Sequence, residues 1–197
     1  MRFDGIDGVP DFECDAFFPR RTKYCMLIPV INEGERIRRE LTRAQQAGVH
    51  EVCDILICDG GSTDGSVAPE ILIPLHVRAY LTKLGPGKQG AQLRMGLWWA
   101  LREGYEGFIT IDGNDKDSIE DVPRFAEALD AGYDFVQGSR FIKGGRAINT
   151  PKMRWLAVRL IHAPVISLTA GFRFTDTTNA FRAHSKKYIT HPQVQPL

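Results

Sequence analysis

Three short apolar runs, each ending abruptly in oxygen-bearing side chains, constrain this chain most. Tyr24-Cys25-Met26-Leu27-Ile28-Pro29-Val30 runs into Asn32 and Glu33, Val52 to Cys58 into Asp59 to Asp64, and Phe108-Ile109-Thr110-Ile111 into Asp112, Asn114, Asp115 and Asp117. Continuous apolar runs of this length predict strands buried on both faces. Helical stretches stand between them, at about 35–47 before Gly48 and at 90–103 before Gly104. Strands alternating with helices predict βαβ units, and hence an α/β fold: a Rossmann-like α/β/α sandwich with a mainly parallel central sheet. Parallel strands bring all three polar clusters to one edge, the carboxyl edge where open α/β sheets bind ligands. Asp, Asn and Gly are also ordinary turn residues, so one such cluster alone carries little; three at equivalent strand ends carry more.

Further strands are expected at His76 to Leu81, Tyr133 to Gln137 and Asn179 to His184, and a helix over 119–130. Residues 1–22 lack a clear period and read as an extension lying on the surface of a single domain, 23–197. The chain stops after His191 to Leu197 with no closing element, as expected of a C-terminally truncated domain. The apolar stretch 155–170, interrupted by Arg159, His162 and Pro164, is expected to pack into the core, with a break near Pro164. The alternative is a helix lying in a membrane interface, a peripheral contact.

The bulk numbers exclude several classes. Net charge is +1, which gives no global argument for nucleic acid. Four cysteines occur without a C-x-x-C pair, which disfavours zinc and suits a reducing, cytoplasmic setting. The acidic N-terminus is no signal peptide, and no apolar run reaches the ~18 residues of a spanning helix.

Oxygen-only clusters suit hard divalent cations, Mg²⁺ or Mn²⁺, which commonly arrive with phosphates. Yet the turn after the first strand reads Pro-Val-Ile-Asn-Glu-Gly-Glu, without the glycine fingerprint of dinucleotide folds. Gly85-Pro86-Gly87-Lys88-Gln89 has a Gly-Lys pair but no following Ser or Thr, so it is no P-loop.

Read in order, Ile28 to Glu33, Cys58 to Gly65, Gly87 to Gly90, Ile111 to Asn114, Gly138 to Phe141 and Asp176 to Arg182 resemble the series of motifs in family-2 glycosyltransferases. The dolichyl- or polyprenyl-phosphate mannosyl (or glucosyl) synthase branch is the nearest likeness, over about residues 24–185. The resemblance implies the A-type glycosyltransferase fold and inverting transfer of a sugar from a UDP- or GDP-sugar. The acceptor would be a polyprenyl-phosphate or a glycan, in cell-surface polysaccharide or glycolipid synthesis. It implies that Pro29, Ile31, Glu33 and Asp59 hold base and ribose, and that Asp112, with Gly113 and Asn114, binds the cation on the diphosphate. Lys88, Lys116, Arg140 and Arg154 would meet phosphates, Arg by its bidentate fork. Asp112, Arg140 and Asp176 are the candidate catalytic residues, with Asp176 as general base if the nucleophile is a hydroxyl.

The chain departs from the family's pattern where Gly60 replaces a second Asp, where Asn114 replaces the second Asp of an Asp-x-Asp motif, and where Lys116 replaces a Gln. Asn114 still offers a neutral oxygen, and Asp115 or Asp117 could serve instead; a site of little metal dependence is the alternative. Two other functions stay open on the sequence: a sugar-1-phosphate nucleotidyltransferase, and a non-catalytic nucleotide-sugar-binding module.

Overall fold

The computed structural model describes residues 1–145 and 151–194 of the 197-residue chain. The described residues form two compact units, Met1–Val136 with Ala183–Leu197, and Gln137–Arg182.

The first unit is built on an eight-stranded sheet. Its strands are β1 (Arg2–Phe3), β2 (Phe12–Ala16), β3 (Tyr24–Val30), β4 (Asp54–Asp59), β5 (Val77–Lys83), β6 (Gly107–Thr110), β7 (Phe135–Gln137) and β8 (Arg182–Ser185). Their order is β1-β2-β5-β4-β3-β6-β8-β7. β5, β4, β3 and β6 run parallel; β2 joins β5 antiparallel. Every residue of β3 and β4 is buried, as strands covered on both faces require.

Among the helices, α1 (Glu35–Gln46) and α4 (Gln89–Arg102) position the edge described below, while α2 (Val49–Val52) and α3 (Pro69–Leu72) are single turns. α1 buries Ile37, Leu41 and Ala44 at helical spacing, with Glu40 as the charged exception on that stripe. α4 lies close against the sheet because Gly96 has no side chain: a Cβ there would stand 2.5 Å from Cys58 Sγ and 3.1 Å from Leu27 Cδ2. α5 (Val122–Asp130) follows β6 after a 3₁₀ turn, and α8 (Lys186–Ile189) follows β8.

The N-terminal segment, expected to lie on the surface, instead extends the sheet. Phe12 pairs with Lys83 and Ala16 with Ala79, and Phe12 and Cys14 join the core. In Phe12-Glu13-Cys14-Asp15 the apolar side chains alternate inward, a strand period five residues long.

The second unit carries α6 (Lys152–Ala157), a π-helical turn (Val158–His162) and α7 (Ala163–Ala170), with Pro164 in the first turn of α7. The break expected near Pro164 does not occur: the helical run passes through it, with the π-helical turn directly before it. The expected core packing of 155–170 does not occur. Only Val158 and Ala163 are buried there, whereas Leu160, Ile161 and Leu168 are 65%, 61% and 83% exposed. No described helix is long and apolar enough to cross a membrane.

Candidate active site at the carboxyl edge of the sheet

Strand register decides which turns meet. Val30 stands opposite Asp59, Asp59 opposite Thr82, and Leu27 opposite Thr110. The turns after β3, β4, β5 and β6 therefore leave the sheet on one side. β4 and β5 lie on one flank of β3 and β6 on the other, so the chain reverses its order between β3 and β6. A crevice at such a reversal is where open α/β sheets bind ligands.

The first two turns are tied together. Asn32, in a left-handed backbone (φ 50°), accepts from Thr63 N at 2.8 Å, and its own N–H donates to Ser62 Oγ at 3.0 Å. Gly34 N donates to Asp64 Oδ2 at 2.9 Å. Bonds from the Ser66 hydroxyl and amide hold the Asp64 carboxyl below its ordinary range. Of the residues expected to hold base and ribose, Pro29 is buried in β3, Ile31 is exposed, and Glu33 lies 2.9 Å from Arg36 Nη2.

Asp59 is fully buried, and both its oxygens are taken. It accepts from Gly61 N, Ser62 N, Ser62 Oγ and Tyr80 OH, all within 3.1 Å. Burial pushes the Tyr80 hydroxyl up to about 12, so it remains a donor at neutral pH. An open carboxylate for a nucleotide is not what Asp59 presents; it folds the second turn. Gly60 has a local reason too: a Cβ there would meet Gln92 Nε2 at 3.0 Å and Ile31 Cδ1 at 3.3 Å. Gln92 is buried and donates to Val30 O at 2.7 Å and Cys58 O at 2.8 Å, clamping the ends of β3 and β4. Sequence reading missed Gln92. Its signal was a polar residue on the inner face of α4, among Ala91, Met95 and Gly96.

The turn after β6 holds the expected cation ligands. Asp112 is partly exposed, and its Oδ1 accepts from Gln89 Nε2 at 2.6 Å. Gly113 is buried on β3: a Cβ would lie 3.0 Å from Val30 Cγ2 and 3.2 Å from Pro29 O. Asn114 Oδ1 is buried with no donor in contact. Asp115 does not substitute as a ligand, because its carboxylate is spent on Arg39 Nε at 2.9 Å and Arg43 Nη1 at 2.7 Å. Asp117 accepts at its backbone oxygen from Arg43 Nη2. Lys88, at the start of α4, and Lys116 are exposed.

No group of three or more His, Cys, Asp or Glu is placed to hold a metal among the described residues. The orphaned Asn114 oxygen and the partly open Asp112 carboxylate, two residues apart on one turn, nevertheless fit a hard cation that brings most of its ligands with it, as Mg²⁺ and Mn²⁺ do with phosphates.

Arg140 and Asp176 lie in the second unit and are bound to each other. Arg140 Nε and Nη2 donate to Asp176 at 2.7 and 3.1 Å, and Nη2 reaches Thr178 Oγ1 at 2.6 Å. Burial raises the Asp176 carboxyl, but the bonds from Arg140 and Thr178 N outweigh it, and the group sits below its ordinary range. A buried carboxylate of low pKa, held by Arg140 and Thr178, is a poor general base, which corrects the role expected of Asp176. Arg154 lies on α6 with its side chain outside the described residues.

An open, mainly parallel sheet of this order, with acidic turns at its carboxyl edge, is the A-type glycosyltransferase fold. Residues 25–190 match the family described as Glycosyl transferase family 2, and the chain belongs to that family. It is similar to the polyprenol monophosphomannose synthase of Mycolicibacterium smegmatis, with 31% identity over 75% of this chain and 59% of that protein. It is also similar to the undecaprenyl-phosphate mannosyltransferase of Micrococcus luteus, with 30% identity over 80% of this chain and 64% of that one. The chain thus spans about three fifths of the length of these relatives. Glucosyl-3-phosphoglycerate synthase from Mycobacterium tuberculosis, solved with Mn²⁺, UDP and glucosyl-3-phosphoglycerate, shares the fold: TM-score 0.56 and 20% identity, covering 85% of this chain and 57% of that one. Family membership sets aside the sugar-1-phosphate nucleotidyltransferase alternative.

Proposed function

We propose that this chain is the nucleotide-sugar-binding part of an inverting glycosyltransferase that moves a sugar from a UDP- or GDP-sugar to a polyprenyl-phosphate acceptor at the cytoplasmic face of a membrane. The observation that carries this is the turn after β6. Asp112 and Asn114 offer oxygens at the carboxyl edge, beside the order reversal of the sheet. The matched family and the two similar lipid-phosphate mannosyltransferases support the substrate classes.

Asp112 and Asn114 would hold a divalent cation, which when bound offsets the charge on the departing nucleoside diphosphate. Gln89 orients Asp112 through its 2.6 Å hydrogen bond. Pro29, Ile31 and Glu33 line the first turn, where base and ribose belong; Asp59 acts behind them by shaping the second turn. Lys88 and Lys116 are exposed cations for phosphate oxygens. An acceptor phosphate oxygen is already anionic when it attacks the anomeric carbon, so no side chain has to remove a proton. That requirement agrees with a chain whose Asp176 is committed to Arg140. Arg140 and Arg154 are the candidate grips on the acceptor phosphate. The exposed apolar residues of 155–170, Leu160, Ile161 and Leu168 among them, favour a helix resting in the membrane interface beside its lipid substrate.

Calorimetric titration of UDP and of GDP, with and without Mn²⁺, tests the donor site. Mn²⁺-dependent binding of one of them is expected, and no binding of either overturns the reading. Transfer of labelled sugar to polyprenyl phosphate then separates an active transferase from a binding module.

A further inference from the structure

We propose that Asp115 is a positioning residue: α1 grips it, and so holds the turn bearing Asp112 and Asn114 in its cation-binding shape before metal or donor arrives. The inference rests on the cation reading above.

Asp115 has a left-handed backbone (φ 59°), which is uncommon outside glycine and persists only when its surroundings hold it. Here α1 holds it at three points. Its N–H donates to Glu40 Oε2 at 3.1 Å, and its carboxylate accepts from Arg39 and Arg43. Arg43 also donates to Asp117 O at 3.1 Å and, through Nε and Nη2, to Glu120 at 2.7 and 2.6 Å. One guanidinium therefore spans the far half of the turn. The Asp115 end of these pairs is shielded, its side chain only 14% exposed, while Arg39 and Glu120 are open to solvent.

The link to Asn114 is covalent. The N–H that Glu40 captures belongs to the rigid peptide plane joining Asn114 to Asp115. Fixing that plane fixes the base from which the Asn114 side chain departs, and its Oδ1 is the buried acceptor with no donor. A neutral amide oxygen is a weaker ligand than a carboxylate, so a site built on one gains more from being held in shape beforehand. The charges are compatible too: Asp115 and Glu120 neutralise the guanidinium of Arg43, which leaves little to repel a cation.

The test uses the full chain and two readouts. Asp115→Gly keeps access to the left-handed backbone while removing the grip. Glu40→Gln keeps an acceptor for the Asp115 N–H and serves as the mild variant; Arg43→Ala removes the bridge alone. Amide deuterium exchange over 112–117 is measured in metal-free protein, and Mn²⁺ affinity by paramagnetic resonance with UDP and with GDP present. For Asp115→Gly and Arg43→Ala, exchange faster by about tenfold and Mn²⁺ binding weaker by about tenfold are expected, the scale on which outer partners tune a metal site. Glu40→Gln should stay near the unaltered protein in both.

Unchanged exchange in folded Asp115→Gly and Arg43→Ala overturns the proposal. So does faster exchange with unchanged Mn²⁺ affinity, which makes the grip merely structural. Failure of the unaltered protein to bind Mn²⁺ overturns the cation reading itself, and the proposal with it. If Asp115→Gly does not fold, Arg43→Ala carries the decision.

Discussion

The two units of this chain handle apolar residues in opposite ways. In the first, Cys25 to Ile28 of β3 and Ile55 to Cys58 of β4 are wholly buried, and polar turns face outward. In the second, Leu160, Ile161, Leu168 and Phe172 face outward, and the buried charged residue is Asp176, locked to Arg140. A sheet sealed on both faces keeps its edge in place, and ligands come to it. The second unit leaves much of its apolar surface uncovered.

That contrast can be broken most severely at the edge. Asp112→Ala should weaken Mn²⁺-dependent nucleotide binding by more than about 100-fold in calorimetry, beyond what an outer partner of a metal carries. An equal Mn²⁺ dependence in the variant would move the site elsewhere. In the second unit, Arg140→Ala leaves Asp176 buried and unpaired, which should cost about 3 kcal/mol in urea unfolding. Arg140→Ala with Asp176→Ala should recover part of that loss, and failure to recover would make the pair unimportant.

A pH dependence comes next. Burial pushes the Glu40 carboxyl from its ordinary 4.5 to about 8. Between these values the unfolded chain has released a proton that the folded chain keeps. This contribution to stability is therefore intact below pH 4.5 and falls with rising pH, by at most about 1.4 kcal/mol per unit until pH 8. Thermal melts from pH 5 to 9 should show Glu40→Gln losing this slope; a parallel slope would mean that Glu40 is ionised throughout. The smallest effect on the fold is expected for Leu160→Glu with Leu168→Glu. Unfolding should stay within about 0.5 kcal/mol, as for exposed sites generally, while flotation with anionic vesicles is lost. Retained flotation would detach the apolar face from the membrane.

Much of the first unit was legible because apolar strands and glycine-ended helices are local patterns. The N-terminal strand was present too, as the alternation Phe12-Glu13-Cys14-Asp15, but five residues at an edge give a faint signal. Stretch 155–170 misled because an apolar helix looks the same whether protein or something else covers it. At the site, the acidic turn after β6 was legible, but the ion pairs that occupy Asp115 within it were not. Which carboxylate faces a ligand depends on arginines seventy-odd residues away, Arg39 and Arg43, brought over by the fold. Asp59 misled likewise, since nothing in its turn shows that Tyr80 closes the set of donors around it.

The packing of Gly96 over Cys58 has a practical consequence. Cys14, Cys25, Cys53 and Cys58 are all free and buried, all lie in the first unit, and the second unit has none. A thiol-reactive dye can reach them only in molecules whose sheet has momentarily opened. The rate at which the intact chain takes up such a dye is thus a clock for openings of the first unit.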